Sequence, residues 1–508
     1  MSLNLKYIFT SIIIVSLLIF SSIHLIYHDL MFHTDIARDF LLMEDMINSR
    51  SPDLIGPRAG GIPGLFFGPI WYYALIPVLV IGQGNPLYVG VSYVIIVAIS
   101  IYSVFWSTRK IFGVNTAFLS SILYTIIVIP LTKGFTQSFG SLIFSPIIFY
   151  LLYKYSETIQ KRYLVILVFV LGIVFHLQPA FAMLSIFLSF VFTTIISYRA
   201  KKLSYVSLFL LILIPLSNYI LFELRNNFIQ IHSFANFLLN PPAQRSSIEV
   251  LDMITNRIDG MLGRLNVLGT INIRHNIVFL FLHLFILFKA VKDKKTIGRN
   301  FYFIFYSFYV GFWVLSLLFK GFVWDYYHWA FLPLIVILFT SLFNLIPKKI
   351  FLFLYLVVVT FTFIQSKNMI LGSINTFSNY DSSSWSLNKE IAQSIFNDSK
   401  TDFGYYVYST DEFGFPVKYA LNYIQKSQTI KGDLCVKKPV TYLIYYPTPT
   451  VGAKTDPRYW KEDRVKILGA PVESKEFGDG IIVEKYILDD NQISEQSDPN
   501  IICNLHFR

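Results

Sequence analysis

The stretch YIFTSIIIVSLLIFSSIHLIY, residues 7–27, is followed closely by HTDIARDFLLMEDMI, residues 33–47. The first stretch carries no Asp, Glu, Lys or Arg and matches the length of about 20 apolar residues that a membrane-spanning helix needs. It is longer than the apolar core of a typical signal peptide, and no small-residue cleavage site follows. The second stretch gathers four acids in a chain whose formal net charge is +11. The sequence therefore predicts a membrane span followed at once by an acidic segment whose presence needs a reason.

The rest of the chain extends this interpretation. Of its 508 residues, 54% are hydrophobic and only 14% are charged, which is too apolar for a soluble protein. The length of the apolar segments suits about eleven spanning helices, at residues 7–27, 87–107, 114–131, 139–153, 163–177, 180–198, 203–222, 277–291, 301–319, 327–346 and 350–366.

The basic residues set the orientation of these predicted spans. With the N-terminus inside, every strong basic cluster falls on the cytoplasmic side, as the positive-inside rule expects. This orientation explains the basic surplus without a nucleic-acid partner. The clusters lie at residues 109–110, 154–162, 199–202, 289–299 and 348–349.

One further apolar stretch, GLFFGPIWYYALIPVLVIG at residues 64–82, is not counted as a span. A full span there would place all the later basic clusters outside. Its Gly, Pro and aromatic residues suit a re-entrant or interfacial segment. The alternative is an ordinary span whose partner elsewhere was missed.

The composition changes after residue 366. We expect a transmembrane domain at residues 1–366, with external loops at 28–86 and 223–276, and a small extracytoplasmic α/β domain at residues 367–508. The second domain shows strand patterns at 403–410 and 440–446 and a hairpin pattern around GDG at 478–480. Both cysteines, Cys435 and Cys503, lie in it, and a disulfide and two free thiols are both open.

The acidic stretch has the pattern of an amphipathic helix. Thr34 is a plausible N-cap, and Asp35 in the first turn would complement the helix dipole. The helix-dipole explanation does not account for the neighbouring charges of Arg38 and Asp39. An acid beside a cation is instead suited to accept a proton near a departing phosphate. The apolar stripe predicts that the helix lies flat on the membrane, and it consists of Ile36, Phe40, Met43 and Ile47.

Together these features resemble the GT-C superfamily of membrane glycosyltransferases, above all the protein O-mannosyltransferase-like enzymes and the aminoarabinose transferases of lipid A. The resemblance covers about residues 1–366 and rests on the order and spacing of several stretches. They are DIAR at 35–38, GP at 56–57, residues 64–87, RKIFG at 109–113, FHLQPAFAML at 175–184 and FELRNNFIQIHSFANFLL at 222–239.

The resemblance implies a specific reaction. Such enzymes take a sugar from a polyprenyl-phosphate donor and pass it to a lipid, glycan or protein acceptor on the extracytoplasmic face. Asp35 occupies the position of their catalytic acid in the first external loop and would act as the base, with inversion at the anomeric carbon. Arg38 and Asp39 would help to bind the substrate.

The chain departs from the pattern of this family at two places. The family often has Asp-Glu where this chain has Asp35-Ile36, and often an acid in the second external loop, where residues 132–140 provide Lys133. No cofactor is implied with certainty. A divalent metal stays open, although the missing acids argue against it, and Lys133 would bind the carrier phosphate instead.

Three further pairs lie at the predicted outer edge of the membrane, each with a plainer explanation. His176 and Gln178 would bind phosphate or sugar, or be satisfied by neighbouring helices. Glu223 and Arg225 would line the site, or form only an interfacial ion pair. Asp325 and His328 lie among aromatic residues that suit either a sugar or a membrane interface.

The rival interpretations are a transporter or flippase of a lipid-linked sugar and a non-catalytic binder of the carrier. Transporters place ionisable or helix-breaking groups near the bilayer midplane. The centres of the segments at 87–107, 203–222 and 350–366 have almost none. We therefore expect a glycosyltransferase of the plasma (inner) membrane, with its site and C-terminal domain outside.

Overall fold

The computed structural model describes residues 3–59, 62–239, 250–268, 273–319, 323–378, 381–409, 413–447, 456–501 and 503. The chain folds into two compact units. The helical unit comprises Met1–Phe20, Asp53–Ala74 and Val94–Asn368, and the α/β unit comprises Ser21–Pro52, Leu75–Tyr93 and Met369–Arg508. The α/β unit thus takes in two N-terminal segments besides the C-terminal part of the chain.

All eleven apolar segments contain helices. Among the described residues, six helices are long and apolar enough to cross a membrane, or seven if one bent pair forms a single span. The longer α-helices up to residue 378 are Leu3–Ser21, Thr34–Ser49, Ile70–Ile81, Pro86–Phe112, Val114–Val128, Gly140–Thr158, Lys161–Leu177, Pro179–Arg199, Ser217–Arg225, Ile229–Leu239, Val250–Arg264, Ile273–Lys292, Arg299–Leu315, Leu332–Ser341 and Lys348–Ser378. The chain is therefore a multi-pass membrane protein, and the number of eleven spans stays a prediction.

The bent pair is formed by the 3₁₀ helix Leu203–Leu213 and the helix Ser217–Arg225, which meet at 60°. Pro215 lies at the break, and because proline has no backbone N–H it interrupts helical hydrogen bonding there. Gly172 faces the proline, and a Cβ at this glycine would lie 2.3 Å from the Pro215 ring. The bend therefore depends on a close approach that only glycine permits.

The stretch at 64–82 contains a helix, Ile70–Ile81, of 12 residues. At 1.5 Å per residue it is about 18 Å long, which is too short for a hydrocarbon core of about 30 Å. Before it, residues 56–59 pair with residues 65–67, since Gly56 N–H donates to the Phe67 carbonyl at 2.8 Å and Ala59 N–H to the Leu65 carbonyl at 2.7 Å.

The described part of the α/β unit contains a sheet of five strands, β1 Phe403–Tyr408, β2 Gly432–Leu434, β3 Val440–Tyr445, β4 Glu473–Glu476 and β5 Ile482–Ile487. Their order in the sheet is β2-β1-β3-β5-β4. Strand β1 pairs in parallel with β2 and β3, whereas β5 is antiparallel to β3 and β4. The helix Phe415–Gln425 connects β1 to β2.

Aromatic side chains form the core on the sheet. Phe403 packs edge-on against Phe396 of the helix Trp385–Asp398 and against Tyr442, with ring centroids 5.1 and 5.2 Å apart. Another cluster of buried residues includes Tyr406, Leu443 and Tyr486, with Cys435 packed against it. Cys435 is bonded to Cys503. The structure thus resolves the choice that the sequence left open in favour of the disulfide.

Candidate functional site

The segment at 29–33, just before the acidic helix, is hydrogen-bonded to the N-terminal end of the helix Trp385–Asp398. The carboxylate of Asp29, only 2% exposed, accepts hydrogen bonds from Ser384 Oγ and Ser386 Oγ at 2.6 Å each and from Ser386 N at 3.1 Å. Phe32 N–H donates to the Ser383 carbonyl at 2.6 Å. Sequence reasoning missed Asp29, although its place between the first span and the acidic helix was a possible signal.

The acidic helix runs over Thr34–Ser49, and its N-cap is His33. His33 Nδ1 accepts a hydrogen bond from the Asp35 backbone N–H at 3.2 Å. The predicted N-cap, Thr34, is therefore wrong by one residue, because an unprotonated imidazole nitrogen fulfils the role that a hydroxyl usually has. Burial lowers the pKa of His33, Arg38 lowers it further, and Asp35 opposes the shift.

Asp35 and Asp39 both bind Arg38, but they differ in exposure. Arg38 Nη1 donates to Asp35 Oδ1 at 2.8 Å, while Nη2 and Nε donate to Asp39 Oδ1 at 2.8 and 3.1 Å. The Asp35 side chain is 58% exposed, against 15% for Arg38 and 7% for Asp39. Asp35 is thus the carboxylate that solvent reaches, whereas the buried Asp39 holds the arginine.

The apolar face of this helix packs into protein. Phe40 and Phe32 both lie against Tyr419 of the helix Phe415–Gln425, with ring centroids 5.4 Å apart in each case. Ile36 and Met43 are 1% exposed. The expectation that the helix lies flat on the membrane is therefore wrong, because its stripe finds an aromatic partner within the α/β unit.

In the helical unit, His176 serves the packing of the chain. Its Nε2 lies 2.7 Å from the Pro215 carbonyl, which can only accept, so Nε2 carries the proton. Gly68 donates its N–H to the His176 carbonyl at 3.1 Å, and a Cβ at Gly68 would lie 1.9 Å from His176 Nδ1. These contacts favour the plainer explanation for His176.

Glu223 caps a helix. Its two carboxylate oxygens accept hydrogen bonds from the N–H groups of Gln230 and Ile231 at 3.3 Å each, at the start of the helix Ile229–Leu239. Arg225 is exposed, and no ion pair between it and Glu223 is found in the described part of the chain. Sequence reasoning missed Gln230, whose side-chain Oε1 accepts a hydrogen bond from the Phe66 N–H at 3.1 Å.

Gln178 links two parts of the helical unit that are far apart in sequence. Its Nε2 donates to the Tyr326 carbonyl at 2.7 Å.

His328 is 5% exposed and its ring lies 5.6 Å from that of Trp313. Lys133 is half-buried at the end of the 3₁₀ helix Ile129–Lys133. The side chain of Asp325 lies outside the described atoms.

Two adjoining cavities of about 390 and 220 Å³ lie beside these residues. Glu223 and Gln230 line the first cavity, and Gln178 and Phe319 line the second. Most of the other lining residues are apolar, and five of them border both cavities, namely Ala59, Leu65, Pro179, Met183 and Phe234. The pair of cavities therefore suits a long apolar chain.

Arg257, which sequence reasoning missed, provides a buried cation next to the second cavity. It is 4% exposed, and its Nη2 donates to the carbonyl of Phe319 at 3.0 Å. Its Nη1 donates to Asn256 Oδ1 at 2.9 Å. The available signal was its spacing of four residues from Met253 and Met261, which places it in line with apolar positions.

Within the described ranges, no group of three His, Cys, Asp or Glu side chains could hold a metal ion. The residues next to Asp35 do not fit a divalent metal either. Arg38 already lies between the carboxylates of Asp35 and Asp39, so a cation there would have to displace the guanidinium.

Sequence comparison finds no matching family model and no matching curated protein. Structural comparison finds ArnT from Cupriavidus metallidurans in the apo state, with 11% identity and a TM-score of 0.51 over 97% of this chain and 100% of that chain. The same protein bound to undecaprenyl phosphate matches with 11% identity and a TM-score of 0.47 over 98% of this chain and 100% of that chain.

An oligosaccharyltransferase from Archaeoglobus fulgidus, in complex with Zn and sulfate, matches with 14% identity and a TM-score of 0.45. The match covers 80% of this chain and 61% of the oligosaccharyltransferase, so this chain spans less than two thirds of that protein. The likeness to ArnT extends over nearly the whole chain at a low identity, and it concerns the fold. The chain therefore has the fold of ArnT, and the expected GT-C fold is confirmed.

Proposed function

We propose that the chain is a glycosyltransferase that moves a sugar from a polyprenyl-phosphate donor to an acceptor hydroxyl. The observation that carries the proposal is the pair formed by Asp35 and Arg38. A carboxylate that is 58% exposed and hydrogen-bonded to a largely buried arginine stays in a fixed orientation and still reaches a substrate. The basic loops of the sequence support the placement of this pair on the extracytoplasmic face.

In this proposal Asp35 acts as the general base. The carboxylate accepts the proton of the acceptor hydroxyl as its oxygen bonds to the anomeric carbon. The bond between that carbon and the phosphate oxygen breaks, its electron pair leaves with the carrier phosphate, and the anomeric configuration inverts. Asp39 acts as a positioning residue, because it holds Arg38 and through it the Asp35 carboxylate.

The carrier would use the two apolar cavities of the helical unit. Their walls suit a polyprenyl tail, since the transfer of an apolar chain from water or a polar interface to an apolar site is favourable. Arg257 provides a cation beside the wall formed by Phe319, and a guanidinium binds phosphate well. We propose that Arg257 binds the phosphate of a carrier held in these cavities, and that Gln178 and Glu223 shape the polar rim of the cavities.

The charge next to Asp35 comes from Arg38. We therefore propose that the transfer proceeds without a divalent metal, so that a chelator should leave turnover unchanged. Loss of turnover with EDTA and its recovery with added Mg²⁺ or Mn²⁺ would contradict this part of the proposal.

The test is turnover of a panel of radiolabelled polyprenyl-phosphate sugars by membranes that contain wild type, Asp35→Asn or Asp45→Asn. General-base catalysis is typically worth about 10² to 10⁴ in rate, so Asp35→Asn should lose at least about a hundredfold. Asp45 is an exposed acid on the same helix, and Asp45→Asn should retain wild-type turnover. Equal turnover in all three proteins would sink the proposal. Binding of a donor without turnover in any of them would favour a carrier-binding or transport role.

A further inference from the structure

The α/β unit contains a polar cavity of about 840 Å³. It is surrounded by the second half of the helix Thr34–Ser49, the loop at 82–85 with the helix ends on either side of it, and the helices Trp385–Asp398 and Phe415–Gln425. Glu44 lines this cavity nine positions after Asp35 on the same helix, which corresponds to about 13 Å along the axis. The cavity is therefore distinct from the place where Asp35 reaches solvent.

The walls of the cavity have the chemistry of a carbohydrate site. Side-chain amides both donate and accept hydrogen bonds, as sugar hydroxyls do, and aromatic rings pack against the apolar face of a sugar ring. The volume falls in the range of about 300 to 1,000 Å³ that is usual for ligand sites. The amides are those of Asn48, Gln83, Asn85 and Gln393, and the rings are those of Tyr88 and Tyr423.

An ion pair between the buried carboxylate of Glu44 and the half-exposed ammonium group of Lys426 forms one side of the cavity. Glu44, only 9% exposed, binds Lys426, and burial raises the pKa of Glu44 against the opposing effect of this lysine. Gly84 lies beside the pair with a φ of +83°, and a Cβ there would lie 2.8 Å from Lys426 Nζ. Tyr419 fixes this glycine by donating to its carbonyl at 2.6 Å.

Such an arrangement is poorly explained by stability. Because the lysine is half-exposed, the pair contributes little to stability, and the desolvation of the buried carboxylate opposes its attraction. A carboxylate and an ammonium group that face a cavity can instead bind a pair of neighbouring hydroxyls. Lys389 also lines the cavity, and because Glu44 already neutralises Lys426, Lys389 leaves a net positive charge there.

We propose that this cavity binds a carbohydrate that carries an anionic group. The amides and the ion pair bind its hydroxyls, the tyrosines contact its rings, and Lys389 binds its acidic group. The identification of this glycan as part of the acceptor rests on the proposed function, whereas the binding itself does not.

The test measures, by calorimetry, the direct binding of acidic and neutral oligosaccharides to the whole purified protein in detergent. The variants are Lys389→Ala, which removes the charge, and Ser427→Trp, which fills the cavity from an exposed position on its wall. The matched control is Lys431→Ala, an exposed lysine of the same unit that does not line the cavity.

At least one acidic oligosaccharide should bind to wild type, and each of the two cavity variants should weaken it roughly tenfold or more, which corresponds to about 1.4 kcal/mol. Lys431→Ala should bind like wild type. Asp35→Asn should also bind like wild type, so that failure of the proposed transfer and failure of this site are distinguishable. The inference is overturned if no oligosaccharide binds in a manner sensitive to Ser427→Trp, or if Lys389→Ala leaves the affinity for acidic and neutral glycans equal to that of wild type.

Discussion

Arg38 holds two carboxylates that play different parts in folding. Its bonds to Asp39 join side chains that are 15% and 7% exposed, whereas its bond to Asp35 reaches a side chain that is 58% exposed. Exposed ion pairs contribute about 0 to 1 kcal/mol to stability. Removal of one partner of a buried pair costs more, because the other charge is left unpaired in a poorly solvated place.

We therefore predict that Asp39→Asn destabilises the protein by about 2 kcal/mol or more, which discounts the roughly 3 to 5 kcal/mol of fully buried pairs for the remaining exposure of Arg38. Asp35→Asn should change stability by less than about 1 kcal/mol. Thermal unfolding of the purified variants in one detergent measures both. Equal destabilisation by the two substitutions would contradict the assignment of Asp39 as the residue that positions Arg38.

His33 makes the start of the acidic helix sensitive to acid. Its pKa in the folded protein is lowered by burial, below the unfolded value of about 6.5. Its contribution to stability is therefore fully present above pH 6.5 and is lost as the pH falls through the folded pKa. A protonated ring also has no lone pair with which to accept the Asp35 N–H.

We predict that wild type loses more stability than His33→Asn between pH 7.5 and pH 5, by up to about 1 kcal/mol, which is the usual effect of an N-cap. Asparagine also caps helices but does not titrate, so the substitution keeps the cap and removes the proton uptake. Melting temperatures of the two proteins across this pH range are the measurement. Parallel curves would show that His33 is not the source of the acid sensitivity.

At the scale of elements, the contact between the segment at 29–33 and the helix Trp385–Asp398 sets where the acidic helix begins. A buried carboxylate with hydrogen bonds of 2.6 Å from two hydroxyls contributes more than a neutral acceptor, because charge-assisted bonds are stronger. The segment at 29–33 therefore fixes the position of Asp35 relative to the helix Trp385–Asp398 of the same unit.

We predict that Asp29→Asn lowers turnover more than tenfold while the protein remains folded, because an amide can keep only part of these bonds and the helix start shifts. Ser386→Ala should give a smaller loss, since the Ser384 hydroxyl and the Ser386 N–H remain. Transfer assays on equal amounts of folded protein, measured by gel filtration, provide the comparison. Wild-type turnover in Asp29→Asn would show that this contact does not position Asp35.

The same elements show what the sequence could predict. The apolar periodicity identified the helices, and alternation with a GDG turn identified strands β1, β3 and the hairpin, because those patterns are local. The partner of the apolar stripe at Ile36 and Phe40 could not be deduced, since a stripe specifies burial and not the surface that covers it. The helix-capping role of Glu223 and the packing role of His176 likewise depend on residues that local patterns do not join to them.

At the scale of the whole molecule, the orientation in the membrane tests the sequence argument most directly. If residues 64–82 do not cross the membrane, Asp45 lies outside and Lys294 lies inside. If they do cross it, the two residues lie on the same side. Both residues are exposed, and the chain has only two cysteines, which are bonded to each other, so a reporter cysteine can be labelled without removing them.

We predict that a membrane-impermeant maleimide labels Asp45→Cys in intact cells or spheroplasts, and labels Lys294→Cys only after the membrane is permeabilised. Asn491→Cys is the matched control, because Asn491 is exposed and belongs to the same compact unit as Asp45 and must therefore be labelled from the same side. Wild type provides the blank, and it should become reactive only after reduction. Labelling of Lys294→Cys from outside would show that residues 64–82 form a full span and that the later basic loops lie outside. The argument that places Asp35 and the basic loops on opposite faces of the membrane would then fail.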